Sequence, residues 1–213
     1  MKKCFFFDLD GTLTNSGPGI IRCAQAALAH FGITKYSDEE LRVFVGPPLR
    51  ETFPRFGVPA DRVEEAVDLF RQVYSAGGKW ENTPYEGIAQ LLEKLKQAGY
   101  PLYVAPSKPE HMAKELLDHF GLSPYFLKIC GATMDSSRDT KDKVIRYLLD
   151  GLDGSAEPVM VGDTEFDVLG AKVHGIPTVG VSWGFGTEES MAKAGALQVA
   201  HSMEELYAIL TAL

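Results

Sequence analysis

Asp8 and Asp10, near the start of the chain, are two residues whose type and spacing could support chemistry. They directly follow four bulky residues, 4–7, that predict a short buried strand. In an open α/β sheet, ligands bind just beyond the carboxyl ends of the strands. Two carboxylates beside an apolar strand repel each other unless a cation or a proton intervenes. The pair therefore indicates a functional site, although an ordinary Asp-Gly turn would also account for Asp10.

A second acidic pair, Asp163 and Asp167, follows another apolar strand segment. The two residues are four apart at a predicted helix start, so they face the same way. The helix dipole favours acidic residues at a helix start, which would explain one of the two. It would not explain why an apolar strand ends in Gly-Asp. Ser107 and Lys108 follow a third predicted strand. Parallel strands would bring these ends to one edge, and the oxygen-rich acids there would suit Mg²⁺.

The elements that must position these residues alternate between helix and strand after residue 83. Strands are predicted at 102–105, 127–130, 159–161, 178–181 and 198–200, and helices at 87–98, 109–120, 140–149, 164–174, 188–194 and 203–213. Such alternation with short links favours a parallel sheet covered on both faces. Residues 15–82 instead predict helices at 20–31, 37–45, 49–56 and 61–76. We therefore expect a doubly wound, Rossmann-like α/β core of residues 1–14 and 83–213, with a helical domain of residues 15–82 inserted after the first strand.

The composition limits the class of protein. The 213 residues are 45% hydrophobic and 23% charged, which is typical of a globular protein with one or two domains. A net charge of −8 without a run of Lys or Arg argues against nucleic acid or a membrane surface as the partner. Three widely spaced cysteines indicate neither a disulfide framework nor a zinc site. With neither a signal peptide nor a long apolar run, we expect a cytoplasmic protein, as a monomer or homodimer.

The string DLDGTL at 8–13 resembles the first motif of the haloacid dehalogenase superfamily, and its second Asp and its Thr point to the phosphatase branch. The string GDTEFD at 162–167 resembles the family's fourth motif. The resemblance covers nearly the full chain. It implies that the helical insert is a small cap domain, which closes over the site, excludes water and sets substrate choice.

The resemblance also implies roles for the acids. Asp8 matches the nucleophile, which attacks phosphorus and forms an aspartyl-phosphate. Asp10 matches the general acid/base, which protonates the leaving alcohol and then activates water. Mg²⁺ would be bound by the Asp8 carboxylate, the Asp10 backbone carbonyl and Asp163. Asp167 would be a further ligand or a support for the others. The ion would offset the repulsion between a carboxylate and an anionic phosphoryl group.

The residues expected to hold the phosphate include one departure from the family. The family usually has Thr or Ser at position 106, whereas Pro106 has neither a hydroxyl nor a backbone N–H. Ser107 would supply the hydroxyl if the loop is shifted, or would cap the following helix. Lys141 best matches the lysine of the third motif, whose ammonium would bridge nucleophile and phosphate. Lys143 is the alternative if the register slips by two, and a solvated helix lysine is the ordinary interpretation.

Further candidates for substrate binding are Thr12, Lys108 and, in the helical insert, Arg50. The string GPPL at 46–49 resembles the cap loop of the phosphoglycolate phosphatase-like branch, so Arg50 or Arg55 could meet a substrate anion. Surface arginines beside a turn are an equally good interpretation. The string WGFG at 183–186 also resembles that branch, and it could line the pocket or form an ordinary Gly-rich turn.

The sequence thus predicts a Mg²⁺-dependent phosphatase of a small phosphorylated metabolite such as phosphoglycolate, a sugar phosphate or a nucleotide monophosphate. A phosphomutase of the same fold is an alternative, which Thr12 disfavours because such relatives often carry Val there. A dehalogenase needs no second acid, so Asp10 argues against it. The departure at Pro106 leaves a third alternative, a catalytically weak protein that senses a phosphorylated ligand.

Overall fold

The computed structural model of the protein describes residues 2–135, 137–152 and 154–213. Its strands are β1 (Lys2–Phe7), β2 (Thr14–Asn15), β3 (Thr83–Pro84), β4 (Leu102–Val104), β5 (Lys128–Ile129), β6 (Ala156–Gly162), β7 (Thr178–Val181) and β8 (Gln198–Ala200). Its α-helices are α1 (Gly17–His30), α2 (Asp38–Leu41), α3 (Leu49–Arg55), α4 (Val63–Ala76), α5 (Ile88–Gln97), α6 (Glu110–His119), α7 (Lys141–Leu149), α8 (Glu165–Lys172), α9 (Glu188–Ala194) and α10 (Met203–Ala212). In this part of the chain, no helix has the length and apolar character needed to cross a bilayer.

The chain divides into two units, one of Met1–Thr14 with Pro84–Leu213 and the other of Asn15–Thr83. The centre of the first unit is a six-stranded sheet in the order β5-β4-β1-β6-β7-β8. Every pairing in it is parallel, which confirms the predicted α/β fold. Phe7 of β1 pairs with Val161 of β6. The carboxyl ends of these two central strands are therefore neighbours, and the residues that follow them share one edge of the sheet.

Alternate residues of β1 anchor helices to opposite faces of the sheet. Phe5 and Phe7 lie in a buried cluster with apolar side chains of α5, α6 and α10. Phe6 lies in a second cluster with side chains of α7 and α8. Because successive strand residues point to opposite faces, one short apolar strand joins both helical layers. This is the doubly wound arrangement that the alternating pattern predicts.

The helical unit contains α1 to α4, and the chain enters and leaves it through β2 and β3, which form a separate two-stranded sheet. Ser37 caps α2 in a reciprocal box with Glu40, as the sequence indicates. The single helix predicted over 37–45 is wrong, because α2 ends at Leu41 and a 3₁₀ turn follows over Arg42–Phe44. The tighter turn places Phe44 against the rings of Phe53 and Phe56 in the core of this unit.

Glu65 of the helical unit gives a prediction about pH. Arg62 donates two hydrogen bonds of 2.8 Å to it and His30 lies 2.9 Å away. These contacts, Arg62 first, lower the pKa of Glu65 from 4.5 to about 2. A lowered folded-state pKa gives stability that is fully present above about pH 4.5 and is lost as the pH falls toward 2. We therefore expect Glu65→Gln to lower the unfolding temperature at neutral pH and to match the wild type near pH 2.

Thermal unfolding followed by circular dichroism across this pH range measures the effect. The control is Glu51→Gln, because Glu51 is an exposed glutamate of the same unit for which the described residues show no ion pair. The difference in unfolding temperature from the wild type should shrink with falling pH for Glu65→Gln but not for Glu51→Gln. A constant difference would mean that the ion pairs of Glu65 do not contribute.

Candidate active site

Asp8 lies directly beyond the end of β1, as predicted. Its backbone N–H donates to the Val161 carbonyl at 2.9 Å, which continues the pairing of β1 with β6 by one residue. Its side chain is buried, and Oδ1 accepts a hydrogen bond of 2.6 Å from Nζ of Lys141. The strand pairing therefore fixes the backbone, and one cation fixes one carboxylate oxygen.

Gly11 makes the turn after β1 possible. The Leu9 carbonyl accepts from the backbone N–H groups of Leu13 and Thr14 at 2.9 and 3.0 Å, which folds the chain back sharply. Gly11 has a φ of +93°, a backbone conformation that residues with a side chain rarely adopt. A Cβ atom at this position would lie 2.1 Å from Oδ2 of Asp163. The turn therefore needs glycine both for its backbone conformation and for its close approach to the second acidic pair.

Asp163 and Asp167 are both buried beyond the end of β6. Asp163 accepts hydrogen bonds from the Thr12 hydroxyl at 3.1 Å and from the Phe185 backbone N–H at 2.8 Å. Oδ2 of Asp167 accepts from the backbone N–H and the hydroxyl of Thr164 at 3.1 and 3.0 Å. Neutral donors thus hold Asp163 and one oxygen of Asp167 in place. Thr12 supports Asp163 in this structure, and its role in binding substrate stays a prediction.

Lys141 begins α7 and is 7% exposed. Its Nζ lies 2.6 Å from Oδ1 of Asp8, 2.8 Å from Oδ1 of Asp167 and 2.9 Å from the Ala105 carbonyl oxygen. Its contacts with Asp8 and the Ala105 carbonyl are hydrogen bonds, and its contact with Asp167 is an ion pair. Lys143 pairs with Asp139 at 2.8 Å and is about half exposed. Of the two candidate lysines, the structure places Lys141 among the acids, and its interpretation as a solvated lysine is wrong.

Burial and mutual repulsion govern the charges of these groups. Burial raises the pKa of Asp8 to about 7, although Lys141 opposes the shift and Asp167 adds to it. Burial, followed by the charges of Asp167 and Asp8, raises the pKa of Asp163 well above its usual value. Burial alone would lower the pKa of Lys141, but the charges of Asp167 and Asp8 raise it above its ordinary value. One ammonium group thus contacts two of the three buried carboxylates, Asp8 and Asp167.

This cluster fits a divalent cation. Carboxylate oxygens of Asp8, Asp163 and Asp167 lie within 4.8 Å of one another and form the one such group found in the described part of the chain. Hard oxygen donors with surplus negative charge suit Mg²⁺. Burial, which raises the pKa of Asp8 and of Asp163, makes a neighbouring cation favourable for the ionised forms of these two acids. The carboxylate of Asp10 lies outside this group, so its predicted metal contact rests on the backbone carbonyl alone.

Asp10 and Lys108 form a second buried pair. Nζ of Lys108 lies 3.2 Å from Oδ2 of Asp10, and the two side chains are 8% and 13% exposed. Oδ1 of Asp10 is buried and has no hydrogen-bond partner among the described residues. One oxygen of this acid is therefore available as a proton donor or acceptor, while the other is held by a cation.

Ser107 and Pro106 lie in the loop between β4 and α6. Pro106 is buried and Ser107 is half-buried. Helix α6 begins at Glu110 with Pro109 at the N-cap position and no side-chain cap. The interpretation of Ser107 as the helix cap is therefore wrong, because it lies two residues too early.

Arg50 is in α3 of the helical unit. Its guanidinium donates two hydrogen bonds to the carboxylate of Glu64, at 2.5 and 2.8 Å, and its side chain is about half exposed. Its positive charge is therefore paired within its own unit, and its predicted role toward a substrate anion stays a prediction.

The segment 183–186 supports Asp163 in a way that sequence reasoning did not anticipate. Nε1 of Trp183 donates to the Thr12 carbonyl at 3.2 Å, and the backbone N–H of Phe185 donates to Asp163. A Cβ atom on Gly184 or Gly186 would lie 2.3 or 2.2 Å from atoms of Asp163. The two glycines are thus the sequence signal for a backbone that closely approaches another residue.

Comparison with known proteins identifies the family of the chain. A sequence model described as haloacid dehalogenase-like hydrolase matches residues 5–181. The chain is 40% identical over 205 residues to a 5'-nucleotidase of Pseudomonas aeruginosa, which covers 95% of this chain and 91% of that protein. It is 42% identical over 197 residues to the tyrosine-protein kinase PtkA of Mycobacterium tuberculosis, covering 92% and 67% of the two chains. It is 32% identical over 203 residues to a phosphoglycolate phosphatase of Caulobacter vibrioides, covering 92% and 85%.

A solved structure has the same fold as this chain. The crystal structure described as a predicted phosphatase from Clostridium acetobutylicum matches with a TM-score of 0.94 and 38% identity, and the match covers 100% of both chains. The likeness therefore extends over both units of the chain, and it is accompanied by substantial sequence identity.

Proposed function

The chain belongs to the haloacid dehalogenase-like hydrolases, and on that premise we propose that it hydrolyses a small phosphate monoester with Mg²⁺ through an aspartyl-phosphate. Its class, a phosphatase acting on small phosphorylated molecules, follows from the family and from relatives named as phosphatases and a nucleotidase. The metal, the intermediate and the substrate are our proposals. The observation that carries them is the buried group of Asp8, Asp163 and Asp167 around one lysine.

The first half of the proposed reaction uses Asp8 and Asp10. Lys141 holds Oδ1 of Asp8, which leaves the second oxygen to attack phosphorus. A bond forms between that oxygen and phosphorus while the bond from phosphorus to the ester oxygen breaks. Asp10 gives its proton to the departing alkoxide, for which its unpartnered Oδ1 is suited. Asp8, Asp163 and Asp167 would hold the Mg²⁺ ion, which would supply positive charge to offset repulsion between carboxylate and phosphoryl oxygens.

The second half regenerates the enzyme. Asp10, now ionised, takes a proton from a water molecule, whose oxygen attacks the phosphorus of the aspartyl-phosphate. The bond between phosphorus and the Asp8 oxygen breaks, which returns the Asp8 carboxylate and releases inorganic phosphate. Lys108, 3.2 Å from Oδ2 of Asp10, orients this acid in both steps. We propose that Ser107 and Lys108 also contact the phosphoryl group.

Substrate choice is proposed to lie with the helical insert, residues 15–82, acting as a cap. Arg50 is our candidate within it for a contact with the substrate anion. The relatives named as a 5'-nucleotidase and a phosphoglycolate phosphatase suggest nucleotide monophosphates and phosphoglycolate as the first esters to try, with sugar phosphates beside them.

Phosphate release from these esters, measured with Mg²⁺ and with excess chelator, tests the proposal. We expect turnover that falls by at least about 10³-fold in chelator, because the ion neutralises charge in the transition state, and that returns when Mg²⁺ is added back. Turnover that is unaffected by chelator would overturn the role of the metal. Tight ester binding without phosphate release would instead favour the sensor alternative, and Pro106→Thr should then restore turnover.

Trp183→Phe tests the support of Asp163. The substitution keeps an aromatic ring but removes the N–H that donates to the Thr12 carbonyl, and Thr12 in turn donates to Asp163. Since loss of an outer hydrogen bond typically weakens a metal site by 10–100-fold, we expect about tenfold weaker Mg²⁺ binding by calorimetry. Trp80→Phe, in the helical unit, is the matched control and should leave the affinity unchanged. Equal Mg²⁺ affinities of both variants would contradict the role of Trp183.

A further inference from the structure

A cleft of about 750 Å³ in the α/β unit is separate from the acid cluster. Its walls come from the segment that begins α5, from the start of α10 and from Trp183. Asp8, Asp163 and Lys141 are not among the residues that line it. A volume of this size lies within the range of small-molecule sites, roughly 300–1,000 Å³. Of the residues that line this cleft, the proposed phosphatase reaction uses only Trp183, through its indole N–H.

The inner wall of the cleft is aromatic. Tyr85, Trp183 and Tyr207 line it, and each is half-buried. The rings of Tyr85 and Trp183 meet edge to face with centroids 6.3 Å apart. The Trp183 ring is held by its hydrogen bond to the Thr12 carbonyl. Rings fixed in this way provide surfaces on which a planar ligand can stack without a large loss of side-chain entropy.

The rim of the cleft carries charges of both signs. Two carboxylates, Glu86 and Glu204, oppose Lys94 and His201. His201 is already paired with Glu188 at 2.9 Å and with a further glutamate of α10. The rim therefore has no surplus positive charge for a phosphate dianion, whereas Gln90 provides a neutral amide donor and acceptor. This chemistry favours an uncharged ligand over the phosphorylated substrate.

We propose that this cleft is a second ligand site that binds a neutral planar heterocycle, in the chemical class of nucleobases and unphosphorylated nucleosides. Stacking on the aromatic wall is tolerant of ring identity because every base has a π-face, and hydrogen bonds at the rim would orient the polar edge of the ring. The inference goes beyond the phosphatase reaction and does not depend on it, because binding here requires neither the metal nor turnover.

Adenosine, guanosine, cytidine and uridine are the probes for the test. The protein has two tryptophans, so Trp80→Phe leaves Trp183 as the sole tryptophan reporter. We expect saturable quenching of Trp183 by at least one nucleoside, unchanged by saturating inorganic phosphate with Mg²⁺. Tyr207→Ala should weaken that binding about tenfold through loss of one stacking ring, whereas Tyr207→Phe should stay within about twofold. Phosphate release should be unaltered in both Tyr207 variants.

Two results would overturn the proposal. One is the absence of any saturable signal with all four nucleosides, checked by calorimetry on the folded wild-type protein. The other is displacement of the nucleoside by phosphate, which would place it in the acid site instead. The same titrations made with chelator present keep this test apart from the metal-dependent reaction, since a failure of the phosphatase proposal would leave the cleft binding intact.

Discussion

Replacing Asp8 by asparagine is expected to abolish phosphate release, with kcat lower by about 10⁴-fold or more. The amide keeps the size of the side chain and can still accept a hydrogen bond from Lys141 through its oxygen. It removes the anionic oxygen that forms the bond to phosphorus, and it removes one of three carboxylates from the candidate metal group. Two independent requirements of the proposed reaction therefore fail together.

The measurement is single-turnover phosphate release with Mg²⁺, accompanied by circular dichroism to show that the fold is intact. Burial already disfavours the ionised form of Asp8, so a neutral amide at this position should leave the metal-free protein folded. Asp118→Asn, on an exposed position of α6, is the control for removing a carboxylate from the same unit. Full activity of Asp8→Asn would remove this residue from the role of nucleophile.

Lys141→Met is expected to have the second large effect, a loss of about 10²–10³-fold in kcat. The substitution takes away the cation that contacts Asp8 and Asp167 and the donor to the Ala105 carbonyl. Breaking a buried ion pair from one side also costs on the order of 3 kcal/mol in stability. We expect that loss in metal-free protein at neutral pH and a smaller loss in acid, where Asp8, whose pKa burial raises to about 7, becomes protonated.

Lys143→Met is a matched control for this prediction. It lies two residues further along the same helix and makes an exposed pair with Asp139. Exposed pairs contribute about 0–1 kcal/mol, so we expect kcat within about twofold of the wild type. Chemical denaturation and steady-state kinetics on both variants separate the alternatives. A large loss of kcat in Lys143→Met with little change in Lys141→Met would reverse the assignment of the lysine.

The sequence predicts the strands and the acids at their ends because both depend on local patterns. A run of bulky residues followed by Asp8 and Asp10 indicates a strand end, and the alternation of elements indicates a parallel sheet. The approach of Lys141 to Asp8 depends on strand order, since 133 residues separate them in the chain. Strand order is a property of the whole sheet, and the residue types alone favoured a solvated lysine.

The contacts that the sequence does not predict are hydrogen bonds from side chains to backbone atoms. The contacts of Lys141 with the Ala105 carbonyl, and of Trp183 with the Thr12 carbonyl, use groups that every residue carries. No residue type marks such a carbonyl as special. The error over Ser107 has a different cause, because a hydroxyl near a helix start suits a cap only at the correct position, which Pro109 occupies.

The place of β1 in the sheet has a consequence for the synthesis of the chain. This Phe-rich strand leaves the ribosome before its partners β4 and β6, which lie about 100 and 150 residues later in the chain. At translation rates of about 5–20 residues per second, β1 waits roughly 8–30 s for its second partner. During this delay an apolar strand with two unpaired edges is attached to the ribosome, which makes nascent chains prone to aggregate. Slowed translation before residue 162, or premature termination there, should therefore increase the demand for chaperones.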